Sequence, residues 1–251
     1  MRRYTLLYIV ALLAMLLLPI SGFAITKQNA DDAYRKGNYQ QAIQDYNELL
    51  RKGVSADIYY NLGNAYYRSD NLANAILAYE RALRLAPGDN DIRFNLQFAS
   101  SKTIDKITPT DDNVFETFYK SLVNFTSVDC WARTAIVSII LALVLMLAYL
   151  FASRIIVRKI GFYGGLVFIV LFICSNIFAW QQKHDYEHRC GAIIMVPSVG
   201  VKSSPVSKSA DAFVLHEGTH VEVTDGMKGW KEIHVADGRD GWISPSAIEM
   251  I

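Results

Sequence analysis

The amino-acid sequence predicts a multi-domain membrane protein in three parts: an all-α solenoid of helix pairs, a two-helix transmembrane hairpin and a small all-β barrel. Three observations carry this prediction. Two apolar stretches, 135–152 and 162–180, lie side by side. Each is long enough to cross a hydrocarbon core of roughly 30 Å at about 1.5 Å per residue. Before them, a helical pattern recurs at a spacing near 34 residues. After them, from Gly191, the apolar period falls to two and turn residues multiply.

The hairpin comes first because it places everything else. Neither apolar stretch has a polar face to offer water. Transmembrane helices are expected at 131–152 and 161–180, joined by a cytoplasmic loop at 153–160 that carries Arg154, Arg158 and Lys159. A short basic loop between spans stays in the cytoplasm, so both flanking regions are expected on the periplasmic side of the inner membrane. Trp131 and Trp180 mark the outer ends as an aromatic belt would, and Arg133 can snorkel to the headgroups. No charged residue sits mid-span, which argues against an ion path. Gly161, Gly164 and Gly165 suit close helix packing.

The N-terminus agrees with that orientation. Arg2 and Arg3, an apolar run at 6–18, Pro19 and the small-residue site at Gly22 and Ala24 read as a secretory signal over 1–24. An uncleaved anchor is the alternative; it would add a span and leave the topology unchanged.

Composition narrows the function classes. The chain has 251 residues, 52% of them hydrophobic, and a formal net charge of +1. Near-neutrality gives no electrostatic footprint for nucleic acid. Of the three cysteines, Cys174 lies mid-span as a small packing residue. Cys130 and Cys190 flank the hairpin on the side where disulfides are permitted. They form either a bridge or two free thiols.

Residues 26–104 resemble themselves. The run Asp57, Ile58, Asn61, Leu62 returns as Asp91, Ile92, Asn95, Leu96, and Ala42, Ile43, Tyr46 returns as Ala75, Ile76, Tyr79. This resembles the tetratricopeptide repeat. The second unit places Tyr59, Leu62, Gly63, Tyr66, Leu72, Ala75, Tyr79, Ala82 and Pro87 on that pattern. The first keeps Gly37, Tyr39, Ala42 and Tyr46 but has Ala30 and Val54 where Gly and Pro are expected. The third has only its first helix, expected to act as a cap. Gly63 and Ala75 are small where paired helices approach closely, and one unit cannot bury its apolar face alone. The resemblance implies a protein-binding concave face including Lys27, Tyr60, Asn61, Asn64, Tyr67, Arg68, Asn95 and Phe98. Asp31 and Asn95 depart from the Asn and basic residues that clamp a C-terminal carboxylate, so a general groove is expected. The Asn residues could equally be solvated.

Residues 105–130 read as a polar linker followed by an amphipathic helix. Asn113 and Glu116 are spaced as a capping box, and Phe115, Phe118, Tyr119, Leu122 and Val123 follow at helical spacing. That helix could lie in the membrane interface, the favoured reading, or close the repeat module. After a linker at 181–190, residues 191–251 hold short strands punctuated by Gly218, Asp225-Gly226, Asp237-Gly238 and Pro245. Val199, Val201, Ser203 and Pro205, then Leu215, Gly218 and Val221, then Gly229, Trp230, Gly241, Trp242 and Ile243 together resemble bacterial SH3-like domains. Trp242 is expected in the core and Trp230 as a partly exposed ligand platform.

No chemistry stands out. His184 and His188 could share a helix face, but no second ligand pair is near. His216 and His220 have no catalytic partner in the sequence. There is no phosphate loop, dinucleotide fingerprint or nucleophile elbow. No enzyme, cofactor or metal site is expected. The ordered combination of signal, repeats, two spans and barrel resembles the BatE-type family of the Bacteroides aerotolerance (Bat) operon. That resemblance implies partners among von Willebrand factor A-domain membrane proteins and a MoxR-type ATPase, in stress tolerance or envelope assembly. Two functions follow as expectations. One is a non-enzymatic periplasmic-side scaffold or adaptor for protein partners. The other is a cell-wall sensor or tether whose SH3-like domain binds peptidoglycan.

Overall fold

A computed structural model describes residues 26–108, 114–187, 190–227 and 229–251. The expected signal at 1–24, Asn113 of the expected capping box and His188 lie outside the described residues. Helices α1 (Lys27–Arg35), α2 (Tyr39–Lys52), α3 (Ala56–Arg68), α4 (Leu72–Leu85) and α5 (Asn90–Ser100) follow in two antiparallel pairs and a single helix. Local chemistry sets their ends. The side chains of Thr26, Asn71 and Asp89 accept hydrogen bonds from main-chain N–H groups of the following turns. The pairs close on small residues: Ala30, Ala42, Ala65, Ala75 and Ala82 are fully buried. At Gly63 a Cβ would sit 2.6 Å from the Tyr79 ring, so only glycine lets α4 approach α3 this closely.

Helix α6 (Val114–Val123) precedes two long apolar helices, α7 (Val128–Phe151) and α8 (Ile155–Glu187). Both are long and apolar enough to cross a membrane, and only 17% and 11% of their apolar stretches are buried in protein. A core helix of a soluble protein would be mostly covered; these present bare hydrocarbon instead. They meet along a seam of small residues, with Ala135, Ser138 and Ala142 on α7 and Gly161, Gly165 and Ser175 on α8. The structure moves two boundaries. Most of the expected loop at 153–160 is helical from Ile155, leaving a tight turn. The expected linker at 181–190 is helical to Glu187, because its polar side chains continue the helix with i,i+4 contacts between Gln181 and Asp185 and between Lys183 and Glu187. At about 1.5 Å per residue, the 33 residues of α8 reach about 50 Å, well beyond a hydrocarbon core. Helix α6 packs on α8 through Tyr119 and Phe178 and leaves Phe115 and Phe118 83% and 62% exposed.

The C-terminal region is a seven-stranded antiparallel sheet. Its strands are β1 (Gly191–Ile194), β2 (Ser198–Lys202), β3 (Asp211–His216), β4 (His220–Met227), β5 (Trp230–His234), β6 (Asp240–Ile243) and β7 (Ile248–Met250), in the order β3-β2-β6-β5-β4-β1-β7. The inner face converges on one core built from Ile194, Val201, Leu215, Val221, Ile233 and Ile243. The expected barrel is not closed, since β3 and β7 remain as outer strands. Arginines on α4, not β3, meet the β7 end. Arg81 donates to the Met250 carbonyl at 2.6 Å and Arg84 to the Ile251 carbonyl at 2.7 Å. These contacts occupy an edge that would otherwise seek a strand. Asp225-Gly226 is not a turn. It lies inside β4 beyond a register shift, and the chain reverses at Gly229, with φ of 86°. Trp242 is half-buried and outside the core, because alternation along β6 turns Gly241 and Ile243 inward. Trp230 is half-buried.

The repeats and the sheet form one packed body. Ile193 and Ile251 share a buried cluster with Ala75, Ile76, Leu77 and Ala99. The unpaired helix α5 therefore does not cap the module alone; the sheet covers the apolar edge it shares with α4. The expected linker takes part as well. Ile107 packs against the sheet core, and Asp105 accepts from His216 N–H at 2.7 Å and from the Thr219 hydroxyl at 2.7 Å.

Candidate functional site

The face formed by α1, α3 and α5 carries the residues singled out in the sequence, and the structure brings most of them together. Asn64 Oδ1 accepts from the Tyr79 hydroxyl at 2.7 Å and from Asn95 Nδ2 at 3.0 Å. The same Asn95 amide donates to the Tyr60 hydroxyl at 3.0 Å. Across the first pair, Asp31 Oδ1 accepts from the Tyr46 hydroxyl at 2.6 Å and from Asn61 Nδ2 at 3.2 Å. The asparagines are therefore ties between successive helices rather than solvated side chains. The Asn64 amide nitrogen and the Asn61 and Asn95 amide oxygens form no hydrogen bond among the described residues, which leaves donor and acceptor groups on this face.

Two features set the groove's chemistry. At its first end, a cavity of about 280 Å³ is lined by Asp31, Tyr34, Arg35, Tyr46, Asn61 and Asn64. Burial, then the hydrogen bond to Asp31, raises the Tyr46 phenol above its ordinary range; burial, then neighbouring Tyr60, does the same for Tyr79. Both phenols therefore stay neutral donors. Asp31 puts an acceptor where a carboxylate clamp would need a donor, so a terminal carboxylate is disfavoured here. At the other end Phe98 stacks on Phe94, with centroids 6.4 Å apart, touches Tyr67 at 5.7 Å and lies under Lys102 at 5.0 Å. Phe94 is 66% exposed and Phe98 45%. This aromatic ledge beside polar ties suits an extended peptide with an apolar or aromatic side chain.

The remaining expected residues fall at the margins. Lys27 is exposed in the first turn of α1. Arg68, on the last turn of α3, donates to the Tyr39 hydroxyl at 3.2 Å and lies over that ring. Sequence reasoning missed Phe94, although it stands 34 positions after Tyr60, as Phe98 does after Asn64. A second cleft of about 680 Å³ lies between α2 and α4, floored by Tyr59, Leu62 and Tyr66 and bounded by Arg81 and Glu249.

Two further sets of residues lie away from the groove. Cys130 and Cys190 are free and exposed: Cys130 stands in the first turn of α7, while the Cys190 carbonyl is committed to the sheet by accepting from Val223 N–H. His216 has a partner after all, since its Nδ1 lies 2.9 Å from Asp105 Oδ1. This pair lacks the order of a hydrolytic triad. The neighbouring Thr219 hydroxyl donates to the carboxylate, not to the imidazole, and is not an activated nucleophile. Burial alone would raise Asp105, but hydrogen bonds from Thr219 and His216 outweigh it and hold the carboxyl below its ordinary range. Among the described residues no group of three or more His, Cys, Asp or Glu side chains could hold a metal ion.

The tetratricopeptide repeat family matches residues 28–90, from the start of α1 to the first residue of α5. No curated protein matches the chain. Such repeats are typical of non-enzymatic modules that bind other proteins; the match covers α1 and α3 of the groove and stops before Phe94, Asn95 and Phe98 on α5.

Proposed function

We propose that this chain is a membrane-anchored, non-enzymatic scaffold that holds a protein partner in the groove of its repeat module, on the periplasmic side of an inner membrane. The observation that carries the reading is the pre-ordered groove: tied asparagine amides beside the exposed Phe94 and Phe98 ledge. A helical hairpin returns the chain to the side it came from, so repeats and sheet share one face of the bilayer. The basic residues at the bend, Arg154 in the turn and Arg158 and Lys159 at the start of α8, support placing that face outside the cytoplasm. The C-terminal sheet, read as SH3-like, then props the module at the outer end of α8.

The order of segments supports a role in a Bat-type stress-tolerance or envelope-assembly complex, with von Willebrand factor A-domain proteins as the partners to look for. Crosslinking in native membranes, followed by identification of partners, tests the reading. Loss of the crosslinked protein in Asn61→Ala/Asn64→Ala, with retention in Trp230→Ala, is the expected result. Loss of peptidoglycan binding in Trp230→Ala, with the groove variant unaffected, would favour the cell-wall tether instead. Reporter fusions near Ile107 and Ile251 should both report an extracytoplasmic location; opposite compartments would overturn the topology.

A further inference from the structure

Helix α6 has a broader apolar side than its packing uses. At about 100° per residue, Val114, Phe115, Phe118, Tyr119, Leu122 and Val123 fall on one half of its circumference, and Thr117, Lys120 and Ser121 fall on the other. The hairpin covers one flank of the apolar half. Val123 is buried, and Tyr119 meets the Phe178 ring edge-on, with centroids 6.1 Å apart. The other flank stays exposed at Val114, Phe115, Phe118 and Leu122, and the exposed Phe125 in the following turn extends it.

Both long apolar helices hold the C-terminal end of α6. The Val123 carbonyl accepts from the Trp131 indole N–H at 3.0 Å and from the Gln182 amide, which also donates to the Thr126 carbonyl at 2.7 Å. The Phe178 ring that meets Tyr119 also meets Trp131, with centroids 5.0 Å apart. Trp131 and Trp180 bound the apolar stretches, so α6 is fastened where the hairpin passes from hydrocarbon to headgroups. The turn after α6 also touches the repeats: a Cβ on Gly88, between α4 and α5, would lie 2.5 Å from the Phe125 carbonyl oxygen.

A contiguous apolar flank of this kind calls for a cover. Its position names one. The flank adjoins the spans at their outer end, where the acyl chains around the exposed surfaces of α7 and α8 give way to headgroups. We propose that α6 is an interfacial foot, with Phe115, Phe118 and Leu122 sunk into the leaflet on the side of the repeats and Thr117, Lys120 and Ser121 toward water. Because the turn after α6 abuts Gly88, the foot also sets the height of the repeat module above the bilayer. The inference rests on the membrane-spanning reading.

The test uses the full chain in phosphatidylcholine vesicles. Cys130→Ala, Cys174→Ala and Cys190→Ala remove the native thiols, and one new cysteine at a time carries a nitroxide label. Phe118→Cys reports the exposed apolar flank of α6, Thr117→Cys its polar half and Val144→Cys the middle of α7. All three positions are exposed, so a label fits without disturbing the core. Collisions with oxygen, which concentrates in hydrocarbon, are compared with collisions with a neutral nickel chelate, which stays in water. The oxygen-to-chelate ratio should be severalfold higher for Phe118→Cys than for Thr117→Cys, and highest for Val144→Cys. Equal ratios at the two α6 positions, with a high ratio at Val144→Cys, overturn the interfacial foot alone. A low ratio at Val144→Cys sinks the spanning reading and the foot with it. Protection of Phe118→Cys from both reagents shows a second copy of the chain on the flank and overturns lipid as its cover.

Discussion

The repeat module presents two contrasting surfaces. Along the edge shared by α4 and α5 the chain covers itself, with Ile193 and Ile251 buried against Ala75, Ile76 and Ala99. On the groove face, Phe94 and Phe98 are left in solvent beside polar groups that are tied to one another and still have free valences. Two and a half helix pairs have two apolar liabilities, an unfinished end and an open face. The chain closes the first with its own sheet and leaves the second. If the groove is the proposed binding face, stability and recognition fall on different surfaces, and substitutions should separate them.

The covered edge should be the most sensitive. Ile193→Asp places an unpaired charge in a fully buried position and should cost about 3–5 kcal/mol, read as a large fall in melting temperature of the full chain. A melt unchanged by this substitution would show that the sheet does not cap the repeats. Gly218→Val comes next. Its φ of +82° disfavours a β-branched residue, and a Cβ would lie 2.9 Å from Thr103 and 3.0 Å from Ile76. A loss of about 2–3 kcal/mol is expected.

Asp105→Asn should cost about 1–2 kcal/mol by weakening the clasp on His216 and Thr219. Its pH dependence has a definite sign. The Asp105 carboxyl is held below its ordinary 3.8, so its stabilisation is complete above that value and is lost as pH falls through the depressed one. The stability gap between the parent and Asp105→Asn should be flat above about pH 5 and shrink in more acidic solution. A gap that widens on acidification would contradict the clasp.

Phe94→Ala/Phe98→Ala should have the smallest effect on folding, within about 0.5 kcal/mol, yet abolish capture of the crosslinked partner. Normal capture by this variant would move the binding surface away from the groove, with the α2–α4 cleft as the next place to look.

Much of the architecture was legible from local pattern. The 34-residue echo of Asn61 in Asn95 located the helices, and the bare apolar runs located α7 and α8, because helix periodicity and span length are properties of contiguous residues. The groove was half legible. Its asparagines could be named, but whether Asn64 was solvated or tied depended on Tyr79 and Asn95, which reach it from other helices. The extent of β4 was misread at Asp225-Gly226, since a register shift lets the pair continue in the strand while Gly229 supplies the turn.

Sequence alone decided the parts list and its order: paired helices, two apolar helices, then alternating strands, each encoded by the period of its own side chains. Tertiary structure alone decided that repeats and sheet are one body, that Arg81 and Arg84 occupy the end of β7, and that Asp105 reaches His216. Those contacts join residues more than 100 positions apart. No local period records them, because which distant surfaces meet is settled by the shape and burial of whole folded elements.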